Sequence, residues 1–168
     1  MTIGAKIRIS ALLMVVCLFY PFSTSSAQDL SFTDPEGAPV PLSSFRGKVA
    51  VLLFGGIQDP QCREEFRALN LLAEKYRGKN VVVCWISINP QSAVPNDRLK
   101  PPCGPTGLVV VLRDGSQTAF KRFTRNAAQL PTLVIIDRQG QMHGPPQGGF
   151  NPAPEFVNSY YSVIDALL

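Results

Sequence analysis

The chain has 168 residues, of which 45% are hydrophobic and 17% charged, and its formal net charge is +4. That length is close to the usual size of one domain and is enough to bury a real core. Disorder is excluded as the main state, since it needs low hydrophobicity with high net charge. With no stripe of Lys and Arg, nucleic acid is not an expected partner.

Residues 1–27 have the parts of a secretory signal. Lys6 and Arg8 form a positive start, Ala11 to Tyr20 is apolar, and Ser25-Ser26-Ala27 offers small residues for cleavage. The apolar stretch is shorter than the ~20 residues a membrane-spanning helix needs. Val16 is bulkier than the small residue that a lipid-anchor site at Cys17 would want. The expected organisation is therefore a signal segment, 1–27, and one domain, 28–168. The processed chain is expected to be exported, periplasmic or secreted, without stable membrane insertion, and anchored only if the segment is retained.

Export changes how the cysteines are read. Setting Cys17 aside leaves Cys62, Cys84 and Cys103, an odd number, so at least one thiol is unpaired or linked to another molecule. One histidine, His143, and no Cys pair at ligand spacing give no reason to expect a metal.

In chain order, Leu30 to Phe45 is broken by Asp34-Pro35-Glu36-Gly37 and predicts a hairpin or edge segment. Val49 to Phe54 is continuously apolar, as in a strand buried on both faces, and Gly55-Gly56 ends it. Pro60 to Arg77 is helical in pattern: Phe66, Leu69, Leu72, Ala73 and Tyr76 share one face, and Gly78 stops it. Val81 to Ile88 is a second buried strand. Asn89 to Gly107 carries five prolines and cannot hold a long helix. Leu108 to Leu112 predicts a third strand, Ser116 to Phe123 a short helix, and Leu133 to Ile136 a fourth strand with a turn at Asp137 to Gly140. Pro154 to Leu168 closes the chain as an amphipathic helix with Phe156, Tyr160, Val163, Ile164 and Leu167 inward. This alternation predicts an α/β layered domain with a central mixed, largely parallel sheet.

The informative stretch is Asp59-Pro60-Gln61-Cys62. A buried strand that ends in Gly-Gly and leads into a helix puts these residues at the carboxyl end of the sheet, where α/β proteins keep their sites. Asp59 suits an N-cap and Pro60 the first helical position, so Cys62 falls in the first turn. The amides and dipole there favour a thiolate, while the charge of Asp59 opposes it. The bland alternative is a half-buried helix cysteine with Asp59 as its cap.

Phe32, Asp34, Gly37, Leu42, Phe45, Gly47-Lys48, the strand to Phe54 and Cys62-Arg63-Glu64-Glu65 resemble the opening of TlpA-type thioredoxin-like proteins, which overlap the AhpC/TSA group. Leu130-Pro131-Thr132, the strand to Asp137, and Gly140 resemble that family's proline-threonine strand and its turn. The resemblance spans nearly all of residues 28–168. It implies a thioredoxin-like fold with an N-terminal hairpin, a cis proline at Pro131 facing Cys62, no cofactor, and a protein or small-molecule thiol or disulfide as partner. Gln58, Pro60, Gln61, Leu130 and Thr132 would form the substrate groove.

One departure stands out. The family carries Trp-Cys-x-x-Cys where this chain has Gln58-Asp59-Pro60-Gln61-Cys62. Asp59 stands in place of the attacking cysteine, and a carboxylate cannot attack a disulfide. Cys84, inside an apolar strand, is expected to be an inert buried thiol. If the third strand runs parallel to the first, Cys103 lies at the opposite edge from Cys62, which disfavours a bond that needs Cα atoms within ~7 Å.

Three functions follow. In the first, Cys62 acts as a single thiol in mixed-disulfide exchange, and Pro131 leaves neighbouring backbone groups free for an extended substrate. In the second, a binding or assembly module keeps the fold without the chemistry. The third is peroxide reduction, disfavoured because Asp59 and Pro131 fall roughly where peroxidases of this kind place a hydroxyl and an arginine. The first is the leading expectation. Trp85 is expected in the core and His143 in a surface turn, and the Gly144 to Gly149 loop, interrupted by Pro145 and Pro146, matches no phosphate cradle.

Overall fold

The apolar run after Gly47-Lys48 becomes an interior strand of a seven-stranded sheet. A computed structural model describes residues 30–57, 62–99, 107–125 and 129–168. Its strands are β1 (Ser31–Thr33), β2 (Pro39–Pro41), β3 (Val49–Gly55), β4 (Val81–Ser87), β5 (Val110–Arg113), β6 (Thr132–Ile136) and β7 (Gln147–Gly148). Its helices are α1 (Cys62–Lys75), α2 (Thr118–Thr124) and α3 (Pro154–Leu167), with short 3-10 turns at Leu42–Phe45 and Asn96–Arg98. No helix among the described residues is long and apolar enough to cross a membrane.

The strands lie in the order β2-β1-β5-β4-β3-β6-β7. The α/β class and the N-terminal hairpin are as expected, but the parallel share is smaller. Among the described residues, only β3–β4 and β4–β5 are parallel. β6 enters antiparallel to β3, and the two-residue β7 adds another antiparallel rung that the Gly/Pro-rich sequence did not signal. Strand direction is set by how a connection returns to the sheet, and periodicity within one strand carries no trace of it.

Side chains alternate across a strand, so β3 feeds two cores. Val49, Val51 and Leu53 pack with Trp85, Phe66, Leu69 and Ile164 on the face covered by α1 and α3. Ala50, Leu52 and Phe54 pack with Phe32, Cys84, Leu112 and Ala119 on the face covered by α2 and the hairpin. Tyr76 closes the far end of the first layer, donating its hydroxyl to Tyr161 O (3.1 Å) or Asp165 Oδ1 (3.0 Å) of α3. On α3, Val157 and Ile164 turn inward, whereas Phe156, expected inside, is 50% exposed. One step around the helix separates the two readings.

Candidate functional site

The parallel strands β3, β4 and β5 all end on one edge of the sheet. Gly55 pairs with Ser87 and Phe54 with Thr132, so Pro131 enters beside the end of β3, where the chain leaves for α1. Cys62 is the first residue of α1 and is 2% exposed. Cys62 and Pro131 therefore share one end of the sheet. The Leu130–Pro131 peptide bond is cis. Gln58, Asp59, Pro60 and Gln61 lie outside the described residues, and so does the expected cap at Asp59. Just before them, Ile57 N donates to Asn89 Oδ1 at 3.0 Å, tying this loop to the segment after β4.

The expectation of a lone sulfur at position 62 does not hold, because Cys62 is disulfide-bonded. Cys84 is the free thiol of the described residues. It lies in mid-strand with no exposure, and burial pushes it from an ordinary 9.0 to about 12, so it is inert as expected. The remaining cysteines, Cys17 and Cys103, lie outside the described residues.

Beneath Cys62 sits a carboxyl that the helical pattern did not single out. Glu65 is fully buried, one turn along α1, and its Oε2 accepts from the Trp85 indole N–H at 3.4 Å. Phe66 packs on the same indole, with ring centroids 5.1 Å apart. A Cβ at Gly55 would come within 3.2 Å of both Glu65 Oε2 and Trp85 Nε1, so glycine leaves room for this pair. The signal was available: positions 62, 65, 69, 72 and 76 form one stripe, and a charged residue on an apolar stripe needs a buried partner.

The surroundings of Pro131 also differ from expectation. Thr132, assigned to the groove, is completely buried, with its hydroxyl donating to Gln129 O at 2.8 Å. Gly149 N donates to Gln129 O (3.0 Å) and Phe150 N to Pro131 O (2.9 Å). These two carbonyls are already satisfied within the chain, so the backbone flanking the proline is less open than the resemblance implied. The reason is β7 and its continuation, which fold back along β6. Leu130 is half-buried and packs toward the Phe54 face.

A second unforeseen residue is Arg113, at the end of β5 on the same edge of the sheet. It is buried, and its guanidinium donates to Asn89 O (2.8 Å), Val94 O (2.6 Å) and Asn96 Oδ1 (3.2 Å). Desolvation lowers its pKa. A planar fork of donors suits this task, and it holds the start of the proline-rich crossover to the sheet edge.

A model of the AhpC/TSA family matches residues 24–143. Among solved structures, the exposed lipoprotein thioredoxin Etrx1 of Streptococcus pneumoniae aligns with a TM-score of 0.66 at 20% identity, covering 83% of this chain and 99% of that one. A candidate thiol:disulfide interchange protein, DsbE, from Chlorobium tepidum gives 0.66 at 24%, covering 84% and 94%. The dsbF protein of MTB gives 0.63 at 18%, covering 83% and 96%. At these identities the likeness shows the fold, which is thioredoxin-like.

Proposed function

The chain belongs to the AhpC/TSA family, and from that premise we propose that it is an exported thiol–disulfide exchange protein acting through Cys62. The observation that carries this reading is a disulfide on the first residue of the helix that leaves the carboxyl end of the sheet. That is where a thioredoxin-like protein exchanges sulfur bonds, and the matched solved structures include a thioredoxin and a candidate interchange protein. Export rests on residues 1–27, whose pattern is that of a cleaved signal.

Exchange then starts from a disulfide and not from a resting single thiol. A thiolate of a partner protein attacks the bond, a mixed disulfide forms, and one sulfur of this chain leaves as thiolate and takes up a proton. The helix start stabilises negative charge on Cys62 as the bond opens. Glu65, one turn along the same face, is the acid–base group that the helix offers. Asp59, in the position of the family's first cysteine, takes no part in bond exchange. Gln58, Pro60, Gln61, Leu130 and Pro131 are the groove that the partner would meet.

Equilibrating the purified chain in glutathione or dithiothreitol redox buffers, then trapping thiols with acid and alkylation, tests the reading. A working disulfide reduces above about −300 mV, and a structural one lies below that value. A potential under that limit, with no disulfide transfer to reduced insulin, overturns the exchange function and leaves the binding module. Mass analysis of the exported protein is expected to show a chain starting at Gln28. An intact N-terminus would overturn the cleavage.

A further inference from the structure

We propose that the end of the sheet opposite Cys62 is a docking surface for a bilayer that carries anionic lipid headgroups. The proposal does not depend on the exchange function, because it concerns other residues at the other end of the sheet.

The strand ends place the charges. β3 and β4 start together, with Val49 paired to Val81, and β6 finishes beside them, with Ile136 paired to Ala50. A cation flanks each of these ends: Lys48 before β3, Lys79 before β4 and Arg138 after β6. Val49 N donates to Asn80 O and Gly47 N to Arg138 O, both at 2.8 Å, so the three segments are tied side by side. Neighbouring strands are ~4.8 Å apart, so the three positions form a row roughly 10 Å long, about one Debye length at 0.1 M salt. Arg46 borders the row, since an added Cβ at Gly140 would come within 3.6 Å of its Nε. Lys75 and Lys79 stand over the rings of Tyr161 and Tyr76, with Nζ 4.2 and 5.4 Å from the centroids. All of these cations are exposed.

The nearby acids are engaged locally. Glu74 is paired with Arg77, Asp137 Oδ1 accepts from Gln139 N and Gln141 N, and Asp165 accepts from the Tyr76 hydroxyl. Among the described residues, Arg46, Lys48, Lys75 and Lys79 form no ion pair with a carboxylate.

Exposed apolar side chains among the cations select the partner. Leu108, 41% exposed, shares a hollow of about 160 Å³ with Arg77 and Lys79. Met142, also 41% exposed, bridges back to Ile136 at the end of β6. Leu168 is 38% exposed, and its carbonyl accepts from Arg138 Nη1 at 2.8 Å. A bilayer uses both kinds of group, since cations meet headgroup phosphates while aliphatic side chains enter the acyl boundary. A free polyanion would use the cations alone. Docking through this end leaves the carboxyl end of the parallel strands, with Cys62 and Pro131, turned away from the bilayer.

Lysine acetylation of the full chain tests the proposal, on vesicles of phosphatidylcholine alone or mixed equally with phosphatidylglycerol. Lys48 and Lys79 are expected to react about fivefold more slowly on the mixed vesicles. Lys121 should be unchanged, because α2 starts at the other end of the sheet, where Phe120 N donates to Asp114 Oδ2. Equal labelling of the three lysines, or the same protection on phosphatidylcholine alone, overturns the proposal. Replacing both lysines, Lys48→Gln with Lys79→Gln, is expected to weaken sedimentation with mixed vesicles about 25-fold, at about fivefold per charge. The urea midpoint and the rate of disulfide exchange should stay as they were. Unchanged sedimentation overturns the docking surface, and equal protection by soluble polyglutamate overturns the bilayer in favour of an acidic protein. A chain that keeps this footprint but transfers no disulfide overturns the exchange function alone.

Discussion

Two sulfurs lie almost equally deep in this molecule, yet one is bonded and the other is a free thiol. Cys84 sits in the middle of β4, between paired strands and in the core layer on the α2 face. Its proton is held by burial alone. Cys62 is on the other face, at the sheet edge where three parallel strands stop, and it begins a helix. The contrast teaches that depth alone does not decide whether a cysteine stays a free thiol or enters a disulfide.

The largest expected effect comes from removing the bond that separates the two sulfurs. Cys62→Ser should lower stability by about 3 kcal/mol, the usual contribution of a disulfide, measured by urea unfolding of oxidised protein. A loss no larger than that of reducing the parent chain would sharpen the comparison, and an unchanged midpoint would break it. Arg113→Met comes next, at about 3 kcal/mol, because it removes the donors to two buried carbonyls and Asn96. The loss is read from the urea midpoint.

Glu65→Ala leaves the buried Trp85 N–H without its acceptor and should cost about 2 kcal/mol, read from thermal unfolding. Its effect belongs to the Cys62 side, so alkylation of Cys84 in the native state should stay as slow as before. The smallest change is Cys84→Ala, about 1 kcal/mol for a small cavity, with exchange activity unaffected. Cys84 also sets a pH dependence. Its folded pKa, about 12, lies above its ordinary 9.0, so the native state binds more protons than the unfolded one between those values. The stability it contributes is complete below pH 9 and falls as pH rises toward 12. Unfolding midpoints from pH 8 to 11 should decline, and the decline should be shallower in Cys84→Ala.

Much of the fold could be read from local pattern. The runs at Val49, Val81 and Leu133 became three interior strands, because a strand buried on both faces has no polar alternation to hide it. Trp85 went to the core and His143 to the surface. What local pattern lacks is the path between elements. The sheet was expected to be largely parallel because a direction is not written into β6. The nearness of Cys62 and Pro131 to one end of the sheet was legible, because helix start and strand entry coincide there. Glu65 was obscured by the two acids together at 64 and 65, of which one faces solvent. Arg113 was obscured because its partners are backbone carbonyls, which every sequence has.

The outer strands carry a consequence for how copies of this protein meet. On one side the sheet finishes on β2, whose Pro39 and Pro41 have no amide hydrogen to offer. On the other it finishes on the two-residue β7, too brief to template a neighbour. Among the described residues, both borders of the sheet are therefore poor templates for another molecule's backbone, which disfavours edge-to-edge growth of crowded copies.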